Sequence, residues 1–282
     1  MSAQKFTKLN SGYQIPSVGL GTWLLSQSIA ADVVYDALNA GYRHFDTAIY
    51  YKNEREVGEG IAKWLNEDSS RKREDVFYTS KLWTFDTYAR AKQEIKTALD
   101  AVEDSLGYID LLLLHSPMGG PQARRDAWKA LQEAVDTGKV KSIGISSWGQ
   151  HHIEDLYSWS GFKIEPAVNQ MEVHPWCMRQ ELSNFCKRKG IMIQAYSPLA
   201  HGEKLDDGIV RELAQKYSVT PAQVLIRWNL QKGNIVLPKS SNAERLRSNL
   251  DVFSFELTDE EVAKISHPDV HEPTDWECTN MP

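Results

Sequence analysis

Cysteine is scarce: three in 282 residues, Cys177, Cys186 and Cys278, with no C-x-x-C pair. Neither a disulfide framework nor a zinc ribbon is indicated by that number and spacing. Long apolar runs are also lacking. The longest purely aliphatic stretch, residues 111–114, is far too short to span a bilayer. The opening MSAQKFTKLN has no apolar core of a signal peptide, and the closing TNMP matches no peroxisomal or retention signal. A reducing, cytoplasmic setting is the simplest expectation. No basic run stands out and the formal net charge is −6, which argues against nucleic acid or an anionic membrane surface as the main partner. G-x-G-x-x-G is missing, since Gly19-Leu20-Gly21 and Gly58-Glu59-Gly60 both lack the third glycine, so a Rossmann turn is not supported. No H-x-H occurs, and His174 near Glu172 reads as a strand-end support rather than a ligand pair, so no metal is expected.

What is present is ordinary globular material: 41% hydrophobic and 25% charged residues, enough for a sizeable core. Residues 6–8 and 14–15 read as a short hairpin turned by Asn10, Ser11 and Gly12. One theme then repeats, a β-rich segment, a polar turn, a helical stretch and a breaker. Strands are expected at 18–22, 44–48, 76–82, 109–115, 142–146, 167–172, 192–196 and 235–239. Helices are expected around 30–39, 54–64, 88–105, 124–136, 153–159, 179–188 and 208–230. The last of these should split at Thr220-Pro221, where threonine caps and proline takes the first turn. Two further helices, near 243–250 and 258–265, follow the eighth strand. Eight alternating units close a barrel or lie in an open sheet. The number, and polar residues at several strand ends, favour a (β/α)₈ barrel of the α/β class, with an N-terminal hairpin and extra C-terminal helices. No linker divides the chain, so one domain spans 1–282.

A barrel brings the C-terminal ends of its strands to one rim. Strand 2 delivers Asp46, with Tyr50 and Tyr51 in the loop after it; strand 3 delivers Lys81, and strand 4 is followed by His115. Taken singly, Asp46 with Lys81 is a plain salt bridge, His115 a core histidine and Tyr51 a loop aromatic. Together they suit one task. A carbonyl accepting hydride gathers negative charge on oxygen and needs a proton there. A tyrosine can supply it, a lysine can draw the phenol's pKa down, a carboxylate can hold the lysine, and a histidine can orient the oxygen.

On these residues the sequence resembles the aldo-keto reductase superfamily, in particular short-loop microbial and fungal NADPH-dependent members. The motifs are Gly41-Tyr42-Arg43-His44-Phe45-Asp46-Thr47-Ala48 with Tyr51 and Asn53-Glu54, Ser80-Lys81-Leu82-Trp83, and Leu113-Leu114-His115-Ser116-Pro117. The resemblance implies a catalytic tetrad of Asp46, Tyr51, Lys81 and His115. It selects Tyr51 over Tyr50 as the acid, because the family's tyrosine lies five residues after the aspartate.

Residues 238–242 (PKSSN) and the helix after them place a cation at a strand end beside a helix N-terminus, an arrangement that binds anions. By resemblance this segment holds the adenosine 2′-phosphate through Lys239, Ser240 and Arg245, with Asn249 near the adenine. Two cations on one phosphate favour NADPH/NADP⁺ over the unphosphorylated cofactor. The resemblance further implies Gln170 and Ser146 on the carboxamide, Tyr196 stacked on the nicotinamide, Ser197 and Leu199 toward the pyrophosphate, and Gly21, Thr22 and Trp23 along the cofactor. The family's usual Ser-Asn is Ser146-Ser147 here, and Ser147 has fewer bonding groups than the amide it replaces.

Trp23, Tyr50, Trp83 and Trp148 follow strand ends and are expected as pocket walls around a small carbonyl substrate. The expected activity is NADPH-dependent reduction of aldehydes and ketones, α-keto esters and diketones included, by a monomer. The competing reading is a nicotinamide-binding regulatory subunit with little turnover. A Schiff-base lyase built on Lys81 fits less well, since Asp46 keeps that amine charged.

Overall fold

The computed structural model describes residues 5–282. β1 (Phe6–Lys8) and β2 (Gln14–Pro16) form an antiparallel hairpin. Eight parallel strands follow in chain order: β3 (Leu20–Gly21), β4 (His44–Asp46), β5 (Phe77–Leu82), β6 (Ile109–Leu114), β7 (Val140–Ser146), β8 (Val168–Glu172), β9 (Met192–Tyr196) and β10 (Ile235–Leu237). Backbone hydrogen bonds from Gly19 N to Val236 O (2.8 Å), Val236 N to Ser17 O (2.8 Å) and Gly21 N to Pro238 O (3.1 Å) join the last strand to the first. The expected barrel, hairpin and C-terminal helices are all present.

The β6 sequence shows why this chain makes such a strand. Parallel strands packed on both faces read as unbroken apolar runs. Period two then divides the run, because successive side chains point to opposite faces. Leu112 and Leu114 join the large core shared with the helices, whereas Leu111 and Leu113 join a smaller interior cluster with Phe77, Val168 and Ile235. Leu9 and Ile15 of the hairpin belong to that inner cluster, so the hairpin closes the floor of the barrel.

The helices are α1 (Gln27–Ala40), α2 (Glu54–Asn66), α3 (Tyr88–Val102), α4 (Gly120–Asp136), α5 (Gln150–Ser158), α6 (Gln180–Arg188), α7 (Gly208–Tyr217), α8 (Pro221–Gln231), α9 (Ala243–Leu250) and α10 (Asp259–Ile265). The break between α7 and α8 falls at Thr220-Pro221. Thr220 Oγ1 accepts from Gln223 N (3.2 Å) and Gln223 Oε1 accepts from Thr220 N (2.9 Å), a reciprocal capping box with proline in the first turn. α4 starts at Gly120, four residues ahead of the expected 124. Gly119 and Gly120 both take positive φ (93° and 81°), which reverses the chain early enough for Pro121 to open the helix. Among the described residues, no helix is long and apolar enough to cross a membrane.

Candidate active site

Asp46 ends β4, and a 3₁₀ turn over Ile49–Tyr51 carries both tyrosines above it. Asn53 anchors this loop to the one after β3. Its Nδ2 donates to Thr22 O and Leu25 O (3.0 Å each), and its Oδ1 accepts from Thr47 Oγ1 (2.6 Å). Lys81, on β5, is fully buried. Its Nζ donates to Asp46 Oδ1 (2.6 Å), Thr47 O (2.8 Å) and Tyr51 Oη (3.3 Å). An ammonium has three hydrogens, and all three are thereby directed. Tyr51 therefore accepts from Lys81, and its own proton is left to point toward the open space beside His115, whose ring centroid lies 5.6 Å from that of the phenol. The four expected residues stand together at the rim.

Electrostatics alter one expectation. Lys81 does not bring the phenol down; burial, reinforced by the negative charges of Asp46 and Asp275, holds Tyr51 well above its ordinary value. Burial likewise pushes the Asp46 carboxyl up and the Lys81 amine down, each opposed by the other's charge. His115 is pushed well below the usual histidine range, by burial first and then by Lys81, so its imidazole is neutral at pH 7. Its Nδ1 is buried without a hydrogen-bond partner. A bare lone pair there costs less than a stranded N–H, which places the ring proton on Nε2.

A cleft of about 710 Å³ runs from this tetrad across the top of the barrel. One end is aromatic. Trp23 stacks on Tyr50 (5.5 Å), Tyr50 on Trp83 (4.1 Å), and Trp83 meets Trp276 at 6.1 Å. Trp148, expected in this wall, is absent from it. The side chain is wholly buried in the core, edge-on to His152 and beneath Arg124, because the chain after β7 turns at Ser147 in the left-handed region (φ 57°) and directs residue 148 inward.

The other arm passes Gly21, Ser146, Ser147, Gln170, Tyr196, Ser197 and Leu199 to Lys239, Arg245 and Asn249. Among the described residues neither Lys239 nor Arg245 is in an ion pair, so two cations face the cleft uncompensated. Two of the expected cofactor contacts stand behind the lining instead. Thr22 donates its hydroxyl to Asp46 O (2.9 Å), and Ser240 Oγ accepts from Asn242 N (3.1 Å) and Arg245 Nε (3.4 Å). Ser147 sits where the family usually has asparagine, and its Oγ lies 3.4 Å from Tyr196 Oη. Asparagine tolerates the left-handed region better than serine does, so the backbone here would equally suit the asparagine that the resemblance implies.

Sequence reasoning left Trp276 open between a place over the pocket and one on the surface, and missed the rest of the lid. Asp275 and Trp276 of the C-terminal tail, with Leu24, His201 and Leu205, also line the cleft. Glu172, at the end of β8, accepts from His174 Nε2 (2.9 Å), Thr274 N (2.7 Å), Thr274 Oγ1 (2.6 Å) and Asp275 N (3.2 Å), which holds the tail over the rim. Glu172 adjoins the expected strand end, but nothing in its local sequence names a partner a hundred residues away.

A model of the Aldo/keto reductase family matches residues 17–268. An uncharacterised oxidoreductase of Saccharomyces cerevisiae is 50% identical over 99% of both chains. Glycerol 2-dehydrogenase (NADP(+)) of the same yeast is 38% identical, covering 90% of this chain and 88% of that protein. Among solved structures, an aldo-keto reductase enzyme from a Medee basin deep-sea metagenome library has a TM-score of 0.89 at 36% identity, covering 99% of this chain and all of that one (100%). The barrel, the four residues at its rim and this likeness along nearly the whole sequence agree: the chain belongs to the aldo/keto reductase family.

Proposed function

We propose that this protein reduces aldehydes and ketones, α-keto esters and diketones included, to alcohols, with NADPH as hydride donor and Tyr51 as general acid. The observation that carries the reading is Tyr51 Oη accepting from Lys81 Nζ (3.3 Å) at the floor of the cleft, its own proton directed to the space beside His115. When bound, the nicotinamide supplies a hydride to the carbonyl carbon. The substrate oxygen lies between Tyr51 and His115, takes the Tyr51 proton as the new C–H bond forms, and is oriented by the Nε2–H of neutral His115. Lys81 holds the phenolate left behind until solvent returns a proton.

The residues present fit the phosphorylated cofactor. Lys239 and Arg245 offer uncompensated charge to the 2′-phosphate, and Asn242 caps α9 beside them by accepting from Arg245 N (3.0 Å). Gln170 and Ser146 would hold the carboxamide, Tyr196 the nicotinamide ring, Ser197 and Leu199 the pyrophosphate, and Asn249 the adenine. The aromatic end suits aryl and alkyl carbonyls and excludes water from the hydride. The name of the yeast relative, a dehydrogenase using NADP(+), points the same way. We further propose that the protein works as a monomer.

Replacing Tyr51 by Phe is expected to lower turnover of a simple aldehyde by about 10²–10⁴-fold, the range for a lost general acid. NADPH binding, followed by quenching of tryptophan fluorescence, should be unchanged. Near-normal turnover of the Tyr51→Phe protein would overturn the assignment. Tight NADPH binding by the unaltered chain, with no turnover across aldehydes, keto esters and aldoses, would point instead to a regulatory subunit.

A further inference from the structure

A histidine in the opening motif has no part in the chemistry above. His44, on β4, is completely buried inside the barrel. Room is made for its ring by Gly19, where a Cβ would lie 2.5 Å from His44 Nδ1. Nδ1 is 3.2 Å from Pro16 O, and a carbonyl only accepts, so Nδ1 carries the proton. Burial pushes the imidazole down to about 3, so the ring is neutral and Nε2 can only accept. At 3.2 Å from Nε2 stands the side-chain amide of Gln194, which therefore presents its nitrogen there, with Thr79 Oγ1 a second neighbour of the same atom at 3.4 Å. Its oxygen then faces Gln170 and accepts from Gln170 Nε2 (2.8 Å). The same Nε2 donates to Asp46 Oδ2 (2.7 Å), a carboxylate that also only accepts. Two independent acceptors, Pro16 O at the floor and Asp46 at the rim, thus demand one and the same polarity along the chain. Both hydrogens of the Gln170 amide are engaged, and its oxygen is what it offers to the cleft.

We propose that His44 and Gln194 are positioning residues for the nicotinamide, fixing through Gln170 that an acceptor meets the cofactor's carboxamide NH₂. The proposal rests on the reading that Gln170 contacts the carboxamide. Substituting Gln194 by an apolar residue leaves the Gln170 amide held by Asp46 alone, free to tilt and present a less well-aimed oxygen, and substituting His44 removes the acceptor that orients the Gln194 amide.

The test compares two probes: NADP⁺, and adenosine 2′,5′-bisphosphate, which has the phosphate arm without the nicotinamide. In Gln194→Met, affinity for NADP⁺ is expected to fall about tenfold, the upper end for one hydrogen bond, with the bisphosphate unchanged. The fraction of deuterium transferred from each face of C4-deuterated NADPH should become less one-sided. Equal weakening of both probes, or no change in either, overturns the proposal. Gln170→Ala separates the two readings. If it leaves NADP⁺ affinity intact, the contact of Gln170 with the carboxamide is wrong; if it weakens NADP⁺ while Gln194→Met does not, only the positioning chain is wrong. Should Gln194→Met fail to fold, ¹⁵N-histidine NMR of the unaltered protein decides. His44 must appear as the Nδ1–H tautomer without titrating between pH 5 and 8, values that bracket the ordinary histidine range of about 6.5. An Nε2–H tautomer, or titration there, overturns the proposal.

Discussion

Tyr51 can give a proton only while it holds one, and its surroundings favour holding it. Reduction uses the phenol and alcohol oxidation uses the phenolate, so a pKa well above the ordinary value of about 10 separates the two directions. Carbonyl reduction should be flat from neutral to mildly alkaline pH. Oxidation of the corresponding alcohol should climb steadily as pH rises toward the phenol's pKa. The His115 ring, already neutral, should add no inflection near 6.5. Profiles of kcat in both directions would check this, and a bell-shaped reduction curve centred near neutrality would contradict it. That Asp46, Tyr51, Lys81 and His115 meet at one rim was legible from their places at successive strand ends. The direction of the Tyr51 shift was not, because it depends on how much water the folded rim excludes, and spacing carries no information on that. Trp148 fails for a similar reason: following a strand end does not say which way a left-handed residue before it will turn the chain.

At the scale of elements, β-rich segments, polar turns and breaker residues located all eight strands and the break between α7 and α8, since those signals are local. The N-terminal hairpin was legible too, though not its place on the barrel floor. The path of the C-terminal tail was not, because the contacts that tie it to the barrel join residues far apart in sequence. Glu172 holds Thr274 and Asp275, Arg179 pairs with Glu277 (2.8 Å), and His152 Nε2 donates to Met281 O (2.7 Å). His152 Nδ1 accepts from Gly149 N (2.9 Å), which settles that its proton is on Nε2. Glu172→Ala should free the segment around 272–276 while its flanks stay anchored. Limited proteolysis should then cut that segment faster, and KM for bulky carbonyls should rise severalfold with NADPH affinity little changed. An unchanged digestion pattern would mean that the tail holds its course without Glu172.

Over the whole molecule, the buried polar groups set how the barrel meets acid. His44 is held down at about 3 and His152 at about 4, and His115 lies well below its ordinary range. Each is a base whose folded pKa is depressed. Above pH 6.5 both folded and unfolded forms are neutral and the full stability is present. Below it the unfolded chain takes up protons that the folded chain refuses, so stability falls until the folded pKa is passed. For His44 the slope is about 1.4 kcal/mol per pH unit within that window. Glu54 acts in the opposite sense. Buried beneath Ser80, its carboxyl is pushed up to about 7, so between 7 and its ordinary 4.5 the folded state is the one that gains a proton, and stability rises as pH falls. The three histidines lose stability between pH 6.5 and 4.5, and Glu54, with the Asp46 and Asp110 carboxyls that burial also raises, offsets part of that loss. Glu54→Gln keeps the acceptor for Ser80 and removes the opposing titration. Denaturant midpoints at pH 6.5, 5.5 and 4.5 should therefore decline for the unaltered protein and decline more steeply for the variant. Parallel declines in the two proteins would show that Glu54 is already ionised in the fold, and that its burial is relieved by a partner other than a proton.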